Sequence, residues 1–379
     1  MGLRAALRRA AVARPGVLLV ARPGATAVRL AAEAEVHRRG WPRVAAPAAA
    51  NLLVVAGDGA GGDDWVEAVW RQVPAPRARV VLPTPSSVAA QLDAGAALLT
   101  QVPAPPDSYA LTGLKEPEEP KGPNGAERSM ADRADDRDGL RLDLLHLPLG
   151  PALTDWPCGL VLDTALQGDV VQRADVRCLP APEGTEPYWN EPWLRALRGQ
   201  AVTRDEAARR RCAAHLDSLG RFLAVSGWPA AAASARRLRD GVLAGSTPDP
   251  GPFVRRVARS RTLRWLTAGL GPLPSLRAHQ LGVTGPALVA DGDALDRVHV
   301  WLDDVVRSAA DFGDLRPLPR TDALGPRGRV DRPQPPSAAL LLALEHLLPG
   351  AEFAAARLIV ASLDPDVDEL AQSAQVARG

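Results

Sequence analysis

The chain has 379 residues, 45 Lys and Arg against 44 Asp and Glu, a formal net charge of +1, 46% hydrophobic residues and 4% aromatic. At roughly 100–200 residues per domain this is length enough for two cores, and the balanced charge leaves no cationic surplus to condense on phosphates, so nucleic acid is not an expected partner. Three widely spaced cysteines, Cys158, Cys178 and Cys212, form no C-x-x-C and are odd in number, which argues against a disulfide framework and for a reducing, cytoplasmic setting.

Val17 to Ala21 follows an arginine-bearing start and is too short for a signal h-region. No stretch reaches the ~18–20 apolar residues of a membrane span. Val17-Leu18-Leu19-Val20 reads as a buried strand, followed by a helix through Leu30, Ala34 and His37. Asn51 to Gly57 is a second strand, Asp64 to Gln72 a helix with Asp64 as its N-cap, and Ala78 to Leu82 a third strand. This alternation predicts right-handed crossovers and a parallel, flavodoxin-like α/β sheet.

Residues 103–139 mix Pro with Glu and Lys and then alternate charge from Asp132 to Asp138, a composition that cannot bury enough apolar area to offset chain entropy. The division is therefore an α/β domain over 1–106, a linker over 107–139 and a second domain over 140–379. The second domain opens with a β-hairpin, Gly159 to Leu166 and Val170 to Val176 about Gly168-Asp169, and continues in helices at Arg204 to Ser226, Trp228 to Ala244 and Gly251 to Ala268. A Pro/Gly/Arg-rich insert is expected near 312–336, then helices at Ser337 to Leu347 and Glu352 to Ala361. The fold class is thus α/β followed by a mainly helical α+β domain.

Chemistry-bearing patterns are sparse. Gly57-Asp58-Gly59-Ala60-Gly61-Gly62 follows a strand as a phosphate cradle would, but Asp58, Asp63 and Asp64 would repel an anion, and a strand-to-helix turn is the better reading. The six histidines lack the spacing of a zinc site. Cys212 and His215 share a helical face, where a buried thiol beside a structural imidazole is commoner than a nucleophile pair. Trp189 and Trp193 could anchor a partner, with core packing the preferred alternative.

The order of segments nevertheless resembles a known pair of proteins. Residues 16–107 resemble the iron–sulfur small subunit shared by the quinone module of respiratory complex I and by membrane-bound NiFe hydrogenases. Gly24 to Arg29 stands where that family has G-C-x-x-C-E, Asn51 to Gly57 is similar to "DVLLVTG", Trp70 to Arg77 to "YEQMPEPK" and Val102 to Pro106 to "VPGCPP". Residues 146–300 and 350–369 resemble the large subunit of the same pair: Leu149-Gly150-Pro151 with Gly159-Leu160, Val170 to Val176, His215 to Gly220 with Arg236 to Arg239, Leu281 to Pro286, and Ile359 to Asp364.

The resemblance places the family's four cluster-binding cysteines on Ala25, Val28, Pro85 and Pro105, and the histidine of its quinone-site hairpin on Cys158. The hydrogenase R-x-C-G-x-C and C-terminal C-x-x-C are absent. Ala, Val and Pro cannot ligate iron, so no cofactor is expected, and no residue is assigned a catalytic, cofactor-binding or metal-ligating role. The resemblance implies a cluster-free structural, assembly or regulatory component without catalysis of its own. Its partners would be protein subunits of a membrane-bound redox complex at the inner face of the cell membrane, with membrane contact only through those partners. The alternatives are an active oxidoreductase subunit holding quinone or a nucleotide between the two halves, and a free-standing soluble binding protein. The tip Trp156-Pro157-Cys158 is expected to serve contact rather than redox chemistry.

Overall fold

Three five-residue apolar runs build the first sheet in a computed structural model that describes residues 14–59, 63–101, 133–135 and 141–371. Strands β1 (Val17–Ala21), β2 (Leu52–Ala56) and β3 (Ala78–Leu82) are parallel, with Val17 opposite Leu52 and Leu52 opposite Ala78. Val17 turns its own N–H and C=O the other way, to Pro42 and Val44, and makes a parallel bridge with Arg43. The sheet order is β1-β2-β3, and the single bridge at residue 43 covers one end of the β1 edge.

Alternate strand residues feed two apolar layers, as the period of two requires. Val17, Leu19, Leu52 and Val54 pack against helices α1 (Thr26–Arg38) and α3 (Val88–Gln101), while Leu18, Val20, Leu53 and Val55 pack against α2 (Asp64–Gln72). Asp64 is the first residue of α2 and not its cap; the N-cap is Asp63, whose carboxylate makes no capping bond and instead takes a hydrogen bond from Arg22.

The expected linker lies outside the described residues except for Arg133–Asp135, a short strand β4 paired antiparallel with Arg141–Asp143. The rest of the second sheet is β5 (Arg141–Leu149), β6 (Leu160–Gln167) and β7 (Val170–Cys178), antiparallel in chain order. The hairpin is the one the sequence predicts, and β5 adds a strand to it. Leu160, Leu162 and Val171 bury one face against helices α12 (Pro336–Leu347) and α13 (Phe353–Leu363).

Helices α4 (Glu191–Leu197), α5 (Arg204–Val225), α6 (Pro229–Leu243), α7 (Gly251–Ala258), α8 (Arg261–Thr267), α9 (Ser275–Gln280), α10 (Pro286–Val289) and α11 (Ala294–Ala310) complete the second half. Helix α5 is its axle. Thr203 and Glu206 close a capping box at its start, and both its flanks are buried, by α6 and by α11. The helix expected over Gly251 to Ala268 is two, because Ser260 turns extended and its hydroxyl caps α8 at Leu263 N. Residues 312–335 contain no helix, and α12 begins at Pro336. Among the described residues no helix is long and apolar enough to cross a membrane.

Candidate functional site at the junction of the two halves

The two halves meet through hydrocarbon, with Leu30 of α1 in the core built around α5, and above all through charge. Helix α1 turns Arg29 and Glu33, one helical turn apart, toward Asp217 and Arg221 of α5 and Arg239 of α6. Arg29 grips Asp217 with both nitrogens, at 2.8 and 3.2 Å. Arg239, fully buried, donates to Glu33 Oε2 at 2.7 Å and Asp217 Oδ1 at 2.5 Å. Burial alone would raise the Glu33 carboxyl, but Arg43, Arg239, Arg29 and Arg236 overcome it and hold the group well below its ordinary value. Asp217 is depressed in the same way by Arg29, Arg221 and Arg239. Both stay ionised because each is over-supplied with guanidinium hydrogen bonds.

A second layer comes from the segment after α13. Asp364 stands in a left-handed conformation at the helix end, and its carboxylate takes hydrogen bonds from Ser218 at 2.5 Å, Arg327 at 2.7 Å and Arg221 at 3.0 Å. The chain then lays three more acids into the protein. Asp368 accepts from Gly24 N at 2.6 Å and Thr26 Oγ1 at 3.1 Å, at the start of α1. Gly24 can present that N–H because it adopts φ of +81°, which a residue with a Cβ resists. Glu369 accepts from Asn190 Nδ2 and Ser337 N, both at 2.8 Å. Burial, and secondarily Asp366, push both Asp368 and Glu369 up to about 7, and burial raises Asp366 as well. Arg327 Nη1 and Asp366 Oδ2 face each other at 4.0 Å, each buried and without a hydrogen-bond partner.

Between the halves a cavity of about 40 Å³ is lined by Arg29, Glu33, Arg43, Asp155, Cys158 and Arg221, among others. That is space for about three or four waters at ~10–15 Å³ each, and two buried nitrogens nearby, Arg43 Nη1 and Arg221 Nε, lack partners that such waters would supply. The Cys158 thiol donates to Ala21 O at 3.1 Å, and burial pushes its pKa far above the ordinary thiol value. Trp156 is 7% exposed, with Nε1 donating to Leu160 O at 2.8 Å, so the indole packs within this chain rather than waiting for another protein. At the tip, Cys158 meets Ala21 of the first half and Gly159 lies close to Pro23, while Trp156 packs in the core of its own half.

Ala25 and Val28 lie buried in the core of the first sheet, and Pro85 is exposed before α3; Pro105 lies outside the described residues. Hydrocarbon side chains supply no donor atom, so these residues do not fit an iron–sulfur cluster. No group of three or more His, Cys, Asp and Glu suited to a metal ion occurs among the described residues.

At the glycine-rich turn the Arg22 guanidinium packs over Gly59 and donates to Gly57 O at 2.6 Å; with Asp63 also on Arg22, the loop is held by a protein cation, and Ala60 to Gly62 lie outside the described residues. Cys212 and His215 do share a face, but each addresses α11 instead of the other: Cys212 Sγ reaches Val305 O at 3.8 Å and His215 Nε2 stands 3.4 Å from Asp304. Burial pushes His215 down to about 3, so it is neutral. Trp189 and Trp193, 2% and 0% exposed, are core residues and do not anchor a partner.

The sequence reading missed the junction acids and arginines. Their signal was faint but present: Arg29 and Glu33 interrupt the apolar stripe of α1 at i,i+4 spacing, and Asp364-Pro365-Asp366-Val367-Asp368-Glu369 is a run of acids directly after an apolar helix.

No protein-family description matches the chain, and no curated protein matches it. Its structure is distantly similar to a chain in the structure of the membrane-bound sulfane sulfur reductase (MBS), an archaeal respiratory membrane complex: 16% identity and a TM-score of 0.41, over 60% of this chain and 98% of that one.

Proposed function

We propose that this protein is a cluster-free component of a membrane-bound redox complex of the complex-I or hydrogenase kind, with a structural, assembly or regulatory task. The observation that carries this reading is the junction itself. Segments whose order resembles a small and a large subunit pack on each other through a network of buried ion pairs, while of the positions corresponding to cluster ligands Ala25 and Val28 are buried hydrocarbon and Pro85 lies at the surface. A part that holds its two halves rigidly and carries no iron donors suits scaffolding better than electron transfer. The water-sized cavity beside Cys158 favours this reading over the alternative in which quinone or a nucleotide occupies the space between the halves. The experiment is affinity purification of the tagged chain from detergent-solubilised membranes of its own host, with iron and acid-labile sulfide measured on the product. Co-purification with integral membrane proteins, and iron at background in the isolated chain, is the expected result. A chain recovered alone, or one carrying stoichiometric iron, overturns it.

A further inference from the structure

Between Pro250 and Ala290 the sequence holds six arginines and no Asp or Glu, in a chain whose net charge is only +1. The structure exposes all six, Arg255, Arg256, Arg259, Arg261, Arg264 and Arg277. Outside this segment several exposed arginines pair with a carboxylate, Arg38 with Glu35, Arg173 with Asp175, Arg198 with Glu186 and Arg316 with Asp314, and those that do not are scattered along the chain. None of the six makes an ion pair with a described residue. The acids that flank the segment in sequence take backbone hydrogen bonds, Asp249 from Gly251 N, Asp291 from Ser275 N and Asp293 from Gly269 N.

The same segment carries the most exposed large apolar side chain among the described residues. Trp265 on α8 is 81% exposed, Leu276 on α9 is 72% exposed and Leu266 is 37% exposed. All eight other tryptophans are buried in a core or packed against one, so Trp265 is an exception to how this protein uses the residue. On α8 Arg261, Arg264 and Trp265 stand at i, i+3 and i+4 and so share a face, while Leu263 and Thr267 fix the opposite face in the core. The indole is thereby held outward on a short, anchored helix with guanidiniums beside it.

From these observations we infer that the α7–α9 surface binds the anionic headgroup layer of a lipid bilayer directly. Charge complementarity selects a negative partner, and an indole with flanking arginines suits the boundary where an apolar body enters the acyl region and cations meet phosphate. Lipid fits better than an acidic protein because the apolar residues protrude singly among cations rather than forming a continuous dry patch of the kind a protein interface buries. Each guanidinium near an anionic leaflet adds a roughly equal increment, and none needs a fixed partner geometry. This contact is independent of the proposed function and adds a direct attachment to the partner-mediated one expected from the sequence.

The test is sedimentation of the full chain with vesicles of pure phosphatidylcholine and with vesicles containing a third phosphatidylglycerol. Binding to the anionic vesicles, weak binding to the neutral ones and loss in molar salt are expected. The double variant Arg261→Glu/Arg264→Glu should lower vesicle affinity at least tenfold, Trp265→Ala several-fold, and Arg237→Glu, an exposed site on α6, should leave it unchanged. Circular dichroism melts of the variants should match the parent, since these side chains are exposed. Equal binding to neutral vesicles, or undiminished binding by the double variant, overturns the inference. So does the absence of vesicle binding, including the case in which the same double variant instead loses a protein partner.

Discussion

Arg239 and Glu33 are 206 positions apart in sequence and 2.7 Å apart in the fold, one at 0% and the other at 5% exposure. Their bond ties α6 to α1, and Asp217 shares the same guanidinium. Removing Arg239 leaves two buried carboxylates short of a cation, and breaking such a pair costs about 3–5 kcal/mol. Chemical denaturation of Arg239→Ala should show a loss of that size. The charge-free Arg239→Met/Glu33→Gln pair should recover part of it, since the fault lies in uncompensated charge more than in lost packing.

The C-terminal acids set a pH dependence of definite sign. Asp368 and Glu369 titrate near 7 in the folded chain, against about 4 when unfolded. Between those values the fold keeps protons that the unfolded chain has released, so stability falls as pH rises from about 4 to 7 and levels off above. Glu33 and Asp217, whose values are depressed, act the other way: their contribution is present above about pH 4 and is lost as pH falls below it. Thermal melts should therefore peak in the mildly acidic range and decline toward neutrality. In Asp368→Asn, which keeps an oxygen for Gly24 N, the decline should be shallower; an unchanged slope removes Asp368 as its source.

Arg297 is 1% exposed and has no carboxylate partner; it rests on Ser362 Oγ at 2.9 Å and Gly271 O at 3.0 Å. Burial lowers its pKa to about 10. A cation held by carbonyls and a hydroxyl, with no carboxylate, is one the fold would lose little by neutralising, provided its volume is kept. Arg297→Met should thus unfold within about 1–2 kcal/mol of the parent, while Arg297→Ala, which opens a cavity, should cost about 3 kcal/mol or more.

All three thiols are held protonated by burial, Cys178 at about 11, Cys212 at about 12 and Cys158 higher still. Since the thiolate is the reactive form, iodoacetamide at neutral pH should label the native chain slowly at every cysteine and the unfolded chain rapidly at all three. Mass spectrometry reads this directly, and fast native labelling at Cys158 would contradict the environment described for it.

How much of this was readable in advance follows from what local sequence can encode. The α/β half was legible because β1, β2 and β3 are unbroken apolar runs between turn residues, and β6–β7 because Gly168 marks their turn. Strand β5 was missed although Leu145, Leu147 and Leu149 fall at alternate positions, because its partner is a hairpin that looked complete without it. Helix α11 was missed although Asp293 and Asp296 close a capping box at its start and Val298, Trp301, Leu302 and Val305 form its stripe. The junction was out of reach for a different reason: pairing Glu33 with Arg239 or Gly24 with Asp368 is a property of the folded chain, and a list of charges carries no record of who meets whom.

The bond from Gly24 to Asp368 also bears on the order of synthesis. When α1 leaves the ribosome, Arg29 and Glu33 have only each other and the solvent, because Asp217 and Arg239 are about two hundred residues from being made and Asp368 still further. The face of α1 that ends up driest must therefore stay wet throughout translation, and it can be sealed only after Asp368 has emerged. A nascent chain stalled short of that residue would carry an open charged face, which makes the final acidic run the closing step of vectorial folding.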